Sequence, residues 1–289
     1  MNTLVSVYVP TKDRCALLQR AVNSVLAQTH REFELIVVND GSSDGTAAYL
    51  DALAADDPRV RGARGLGAVE DPHARNLAIR AARGEWVTGL DDDDEFMPER
   101  LAALVAIAAA FESGGVPFSG LYTQDEVVRP ARTSATRKPC CVTLEALFMQ
   151  NCIGNQVFMR RSVAVDLGLY DERLPAWQDL DFNMRLVDRH GPARLVDRAL
   201  YRLYHDDRPD RLSRQRKPAI LEAFRLVSGK WPAASARQKQ QLYLQVLSTH
   251  YGFPIEPADI ARYASFGVGP GAMVRLMRQC TERLRRRRA

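Results

Sequence analysis

Short apolar runs alternate with amphipathic segments from Leu4 to Leu90, and this alternation constrains the fold more than any other feature of the chain. Val5 to Val9, Phe33 to Val38 and Trp86 to Leu90 have strand length and are bounded by turn residues. Arg14 to Ala27, Gly45 to Ala55 and Pro72 to Ala82 carry apolar residues at helical spacing. Strands separated by helices of that length predict βαβ units in an α/β fold, with a Rossmann-like, mostly parallel sheet flanked by helices. In such sheets ligands gather beyond the carboxyl ends of the strands. Three loops stand there, Pro10 to Asp13, Asn39 to Asp44 and Asp91 to Glu95, and the last two are rich in acids. Beyond Pro98 the pattern predicts a helix through Ala110, strands at Pro117 to Thr123 and Gln156 to Arg160, and helices at Leu144 to Gln150 and Gln178 to Arg189. After Arg214 the composition shifts toward Gln, Arg, Leu and Ala at helical period, so the expected division is an α/β domain over residues 1–214 and a helical C-terminal region over 215–289.

The formal charge of +5, from 40 Lys+Arg against 35 Asp+Glu, is unevenly placed. Thr281 to Ala289 holds five arginines against Glu282, a local +4 that leaves the remainder at +1. A near-neutral body with a basic tail argues against a nucleic-acid-binding surface spread over the protein. The first residues lack a basic n-region and read as a strand, not as a signal peptide. The longest apolar run, Leu101 to Phe111, is about half of the roughly 20 residues that cross a bilayer. Five cysteines, an odd number without a CxxC pair, suit a reducing cytoplasm, which is the expected location.

Asp91, Asp92, Asp93, Asp94 and Glu95 directly follow the apolar Trp86-Val-Thr-Gly-Leu90. A solvated acidic turn is the plain explanation for such a run. Carboxylates emerging from a buried strand about 4 Å apart, however, repel by several kcal/mol at an effective dielectric of about 20. A divalent cation removes that penalty, and oxygen ligands alone select Mg²⁺ or Mn²⁺, ions that commonly share their shell with phosphate. The second acidic segment runs from Asn39 to Thr46, where Asp44 or Ser43 suits a helix cap. Asp40 ends an apolar strand, where a carboxylate can accept hydrogen bonds from ribose hydroxyls or a base imide. Neither a P-loop nor a G-x-G-x-x-G fingerprint is present.

Val5-Ser-Val-Tyr-Val-Pro-Thr-Lys-Asp-Arg, Leu35-Ile-Val-Val-Asn-Asp-Gly-Ser-Ser-Asp-Gly-Thr, Ala74-Arg-Asn-Leu-Ala and Gly84-Glu-Trp-Val-Thr-Gly-Leu-Asp-Asp-Asp-Asp resemble, in order and spacing, the N-terminal motifs of the family 2 glycosyltransferases, which have the GT-A fold. The resemblance covers about the first 100 residues, the nucleotide-sugar-binding half, and leaves 101–214 as the acceptor half. It implies that Pro10, Thr11, Asp13, Asp40 and Arg75 lie around the base, ribose and diphosphate. Asp91 and Asp93 match the family's D-x-D element, with Asp93 as direct metal ligand, Asp91 assisting and Asp92 as a ribose or sugar contact. A weaker match runs from Asn155 to Leu186, where Trp177-Gln-Asp-Leu-Asp is similar to the segment whose Glu-Asp pair supplies the catalytic base. Gln178 replaces the Glu, and Asp179 keeps the base position. His205 resembles the histidine that completes the metal or diphosphate environment in GT-A enzymes. Arg211, Ser213 and Arg214 follow as residues that can screen a diphosphate.

These matches imply an inverting, metal-dependent glycosyltransferase using Mg²⁺ or Mn²⁺ and a nucleotide-sugar donor. UDP is the expected nucleotide, with dTDP and GDP as alternatives. The expected acceptor is a saccharide or lipid-linked saccharide of bacterial surface polysaccharide or lipopolysaccharide synthesis. The alternatives are a non-catalytic nucleotide-sugar-binding or scaffolding protein, motivated by Gln178, a sugar nucleotidyltransferase lacking its glycine-rich start, and a metal-dependent phosphohydrolase. Met273, Val274, Leu276, Met277 and Leu284 interleave with Arg275, Arg278, Arg283 and the last arginines. That spacing reads as a basic amphipathic helix for peripheral contact with an anionic inner membrane.

Overall fold

The computed structural model describes residues 3–64, 71–205, 216–269 and 271–277. The predicted alternation is present: β1 (Val5–Thr11), α1 (Cys15–Leu26), β2 (Phe33–Asn39), α2 (Thr46–Asp56), β3 (Val60–Arg64), α3 (Asp71–Ala81) and β4 (Trp86–Gly89). There follow β5 (Glu95–Phe96), α4 (Arg100–Ser113), β6 (Gly120–Arg129), β7 (Arg132–Ala135), β8 (Cys141–Val142), α5 (Leu144–Met149), β9 (Met159–Arg160), α6 (Arg161–Asp166), α7 (Gln178–His190) and β10 (Ala193–Tyr204). Helices α8 (Lys217–Gly229), α9 (Ala236–Val246), α10 (Pro257–Ser265) and α11 (271–277) close the chain.

The first sheet has the order β3-β2-β1-β4-β9. Its first four strands are parallel, and β9 joins β4 antiparallel. Register sets Val5 beside Phe33 and Trp86, and Thr11 beside Asn39, so the carboxyl ends of β2, β1 and β4 share one edge. A central parallel strand is covered on both faces, which explains why β1 and β2 read as near-continuous apolar runs. Val5, Val7, Val9, Leu35 and Val37 pack with Leu18, Val22, Leu101 and Leu104 of α1 and α4. Tyr8, Ile36 and Val38, on the alternate positions, belong to the second core with Ala78, Ile79, Phe182 and Leu186 of α3 and α7. Strand β3 escapes sequence reading because its edge position needs only one large apolar residue, Val60.

The second sheet is mixed, with order β5-β10-β6-β7 and β8 on β10, and β10–β6 is its parallel pairing. A Leu121–Phe158 bridge and the stacking of Trp86 on Phe158, centroids 4.8 Å apart, join it to the first. The C-terminal helices share the second core. Ile220, Phe224, Val227, Tyr243, Val246, Tyr263 and Leu276 cluster with Leu147 and Phe148 of α5. Helical periodicity shows that a face is apolar but not what covers it, so sequence alone left this region as an appendage.

Arg100 is fully buried in the first turn of α4, over the rings of Phe96 and Tyr201 at 4.6 and 5.3 Å. Its guanidinium donates to Thr123 Oγ1 at 2.5 Å and to the Gln156 carbonyl at 2.9 Å. Burial pushes its pKa down to about 10. Arg100→Ala removes a large buried side chain and one hydrogen bond from each acceptor, leaving the Gln156 carbonyl with Thr88 Oγ1 and Thr123 Oγ1 with Gln156 Oε1. A loss of about 3 kcal/mol is expected, read as a lower urea midpoint.

Candidate active site

The loop after β1 turns at Asp13, whose φ of 52° lies in the left-handed region. That strain is held by the loop after β2: Ser43 donates its amide (2.6 Å) and its hydroxyl (3.0 Å) to Asp13 Oδ1, and Asp13 N donates to Ser42 Oγ. The Ser43 amide and hydroxyl hold the Asp13 carboxyl below its ordinary range. Asp44 braces the same junction by accepting from Cys15 N and from Thr46 N and Oγ1. Pro10 pairs in the ladder with Val38, and the Asp40 amide donates to the Thr11 carbonyl. The buried Asp40 carboxylate lies 3.8 Å from Lys12 Nζ. The two loops expected to hold a nucleotide are therefore one cross-braced unit.

The acidic turn divides its carboxylates by partner. Asp92 accepts from Thr11 Oγ1 (2.8 Å) and Arg14 Nη1 (3.1 Å), which joins the turn to the β1 loop. Burial pushes its pKa up to about 6, against the opposing pull of Arg14 and Thr11. Arg75 donates to Asp91 Oδ1 at 2.7 Å, and Arg20 pairs with Glu95 and donates to the Asp93 carbonyl. Asp91, Asp93 and Asp94 each bring a carboxylate oxygen to within 4.8 Å of the others. Asp94 is buried, and burial followed by the charges of Asp91 and Asp93 raises its pKa well above the carboxylate range. This concentration of hard oxygen donors fits a divalent cation.

Tyr201 of β10 organises the turn from behind. Its hydroxyl donates to Asp94 Oδ2 (2.9 Å) and accepts from Asp91 N and Asn155 Nδ2 at 3.4 and 3.5 Å. Tyr204 N donates to Asp94 Oδ1. No Cβ fits at Gly89, where the Asn155 carbonyl and the Tyr8 ring stand 2.9 Å from its position. Glycine there admits the 155 loop to the strand end. Sequence reading gave Asp94 only as a member of the acidic run and did not single out Tyr201 or Asn155, since their contacts with the turn join segments 46 to 110 residues apart.

Asp179 lies in the first turn of α7, where the helix dipole favours a carboxylate. The turn begins at Trp177, a left-handed residue (φ 63°) whose Nε1 donates to Tyr251 Oη at 2.9 Å. The Gln178 amide folds back onto the Leu174 carbonyl. Tyr170 links α7 to the acidic turn. It hydrogen-bonds Tyr8 hydroxyl to hydroxyl at 3.1 Å, and its ring lies 5.9 Å from the Arg75 guanidinium. Burial, then Tyr8 and the Asp179 charge, raise its pKa well above the ordinary tyrosine value. Arg75 thus joins Asp91 to the Tyr170 ring, and Asp179 is among the charges that Tyr170 feels. Asn76, beside Arg75, fixes Tyr170 by accepting from its amide and donating to its carbonyl, a role that sequence reading missed.

His205 lies exposed just beyond β10, its amide on the Val128 carbonyl, and is not a member of the Asp91–Asp93–Asp94 group. Arg211, Ser213, Arg214 and the 281–289 tail lie outside the described residues. A depression of about 500 Å³ lined by Arg80, Glu172, Arg173, Arg185 and Lys230 includes neither the acidic turn nor Asp179, so its size does not make it the reaction site. The four described cysteines are free thiols. No helix among the described residues is long and apolar enough to cross a membrane.

Comparison with known proteins identifies the family and the fold. The family model described as Glycosyl transferase family 2 matches residues 6–167. An Escherichia coli protein named as a colanic acid biosynthesis glycosyl transferase, WcaA, is 30% identical over 245 residues, 84% of this chain and 87% of the relative. A Campylobacter jejuni GalNAc(5)-diNAcBac-PP-undecaprenol beta-1,3-glucosyltransferase is 37% identical over 102 residues, 35% of this chain and 33% of that protein. The structure of S. aureus TarS 1-349 in complex with UDP-GlcNAc superposes with a TM-score of 0.66 at 20% identity, covering 91% of this chain and 79% of that one. The expected GT-A fold is thereby met, and the chain belongs to glycosyl transferase family 2.

Proposed function

We propose that the protein transfers a sugar, with inversion, from a nucleoside diphosphate sugar to a hydroxyl of a saccharide or lipid-linked saccharide in bacterial surface polysaccharide synthesis. The observation that carries this reading is the acidic strand end, where Asp91, Asp93 and Asp94 bring carboxylate oxygens within 4.8 Å of one another beside the cross-braced loops after β1 and β2. Pro10, Thr11, Asp13, Asp40 and Asp92 hold the base and ribose, and Arg75 fixes Asp91. Mg²⁺ or Mn²⁺, held by Asp93 and Asp91 with Asp94 beside them, supplies positive charge for the leaving nucleoside diphosphate. Asp179 takes the acceptor hydroxyl proton as that oxygen forms its bond to the anomeric carbon. The bond from that carbon to the diphosphate oxygen breaks on the opposite face. His205, exposed and outside the acidic group, is assigned to the diphosphate rather than to the metal.

The names of the relatives support the substrate class. WcaA is named for colanic acid biosynthesis, the Campylobacter protein for a lipid-linked acceptor, and TarS is described with UDP-GlcNAc. A thermal-stabilisation panel of UDP, dTDP and GDP sugars with Mn²⁺ tests the donor. A true donor at about a hundred times its Kd stabilises by about 2.7 kcal/mol, roughly 5 °C here. The shift is expected from UDP sugars and only with the cation; no shift from any donor would reject the reading.

A further inference from the structure

Of seven exposed large hydrophobic residues among those described, five (Ile260, Val268, Met273, Val274 and Met277) lie in the last 18 positions described. Isolated exposed apolar residues are ordinary, whereas a cluster marks an interaction surface. Their orientation is fixed. Ala272 and Leu276 are buried in the second core while Met273, Val274 and Met277 lie on the outward side of α11. Tyr263 Oη donates to the Ala272 carbonyl, Arg275 Nη2 to Gln240 Oε1, and Gln240 Nε2 to the Gly267 carbonyl, so α9, α10 and α11 hold one another. These exposed apolar side chains are therefore carried by mutually braced segments.

Charge selects its occupant. Residues 260–289 hold eight arginines and a single acid, Glu282, which leaves the preceding part of the chain slightly acidic. Exposed apolar residues in a sequence segment this rich in arginine match a phosphate-rich interface above hydrocarbon better than they match a second copy of the same basic segment. We infer that the face formed by Ile260, Val268, Met273 and Val274 docks on an anionic lipid bilayer. The apolar side chains enter the headgroup boundary, and the arginines meet lipid phosphates, each adding roughly fivefold to partition at low salt.

Sedimentation of the full chain with vesicles tests this. Binding to phosphatidylcholine vesicles containing phosphatidylglycerol is expected to exceed binding to phosphatidylcholine alone by at least about tenfold, and to fall with salt. Val268→Glu with Val274→Glu, at positions 81% and 59% exposed, is expected to weaken anionic-vesicle binding at least about tenfold while donor-induced stabilisation persists. Replacing Arg285, Arg286, Arg287 and Arg288 by Gln tests the charge separately and is expected to weaken anionic-vesicle binding while donor-induced stabilisation persists. Equal binding to both vesicle types, binding to neither, or full binding by both variants would overturn the inference. So would light scattering that shows a dimer which Val268→Glu with Val274→Glu converts to monomer, since the exposed apolar residues would then belong to a second copy.

Discussion

Asp179→Asn is expected to lower turnover at least about a hundredfold while nucleoside diphosphate affinity stays within about twofold. The two side chains are isosteric, and α7 retains Leu180, Phe182 and Leu186 in the core, so the helix stays in place. What disappears is the capacity to accept a proton from the acceptor hydroxyl as it attacks. The loops proposed to bind the donor follow β1, β2 and β4, and none of them includes α7. Steady-state transfer combined with calorimetry on the diphosphate separates the two quantities. Wild-type turnover in the Asn variant would remove Asp179 from the base role, and a parallel loss of diphosphate affinity would instead assign it to donor binding.

The second large effect concerns the acidic turn. Asp93→Asn is expected to weaken metal-dependent binding of the nucleoside diphosphate about a hundredfold, roughly 2.7 kcal/mol. Binding measured with a chelator present is expected to change little. The metal-free protein is expected to be as stable as wild type or slightly more so, because Asp93 is one of the charges that raise the Asp94 pKa. For Asp94 the sign is fixed. A carboxyl whose folded pKa is raised is penalised when ionised, so relieving its neighbours can only ease folding near neutral pH. An unaltered metal-dependent affinity in calorimetry would exclude Asp93 as a ligand. A marked drop in metal-free stability would make its role structural.

The acidic turn shows how far sequence reading reached. That Asp91 to Glu95 end a buried strand was legible, because strand length and apolarity of Trp86 to Leu90 are local properties. Which carboxylates point together was not. The D-x-D spacing selects Asp91 and Asp93, yet the backbone also brings Asp94 into their group and turns Asp92 to Thr11 and Arg14. Alternation along an extended strand stops at a turn, so side-chain directions there follow the hydrogen bonds that close it, here Asp94 N to the Asp91 carbonyl. Gln178 is a similar case. Sequence marks it as a departure from the family Glu, and only the structure places its amide on the Leu174 carbonyl.

By itself the sequence determined the parallel βαβ framework, the strand-end loops and the family. Each follows from local periodicity, from turn residues or from short motifs whose members are neighbours in the chain. Tertiary structure decided the company these residues keep. It brought Tyr201 onto Asp94, Arg75 onto Asp91 and beside the Tyr170 ring, and Tyr251 of the C-terminal region onto Trp177 at the start of α7. It also merged the C-terminal helices into the second core and turned Met273, Val274 and Met277 outward. The physical reason is common to all of these. Hydrogen bonds and burial join side chains by distance in space, and for contacts between residues 70 or more positions apart the intervening chain leaves no periodic trace in the sequence.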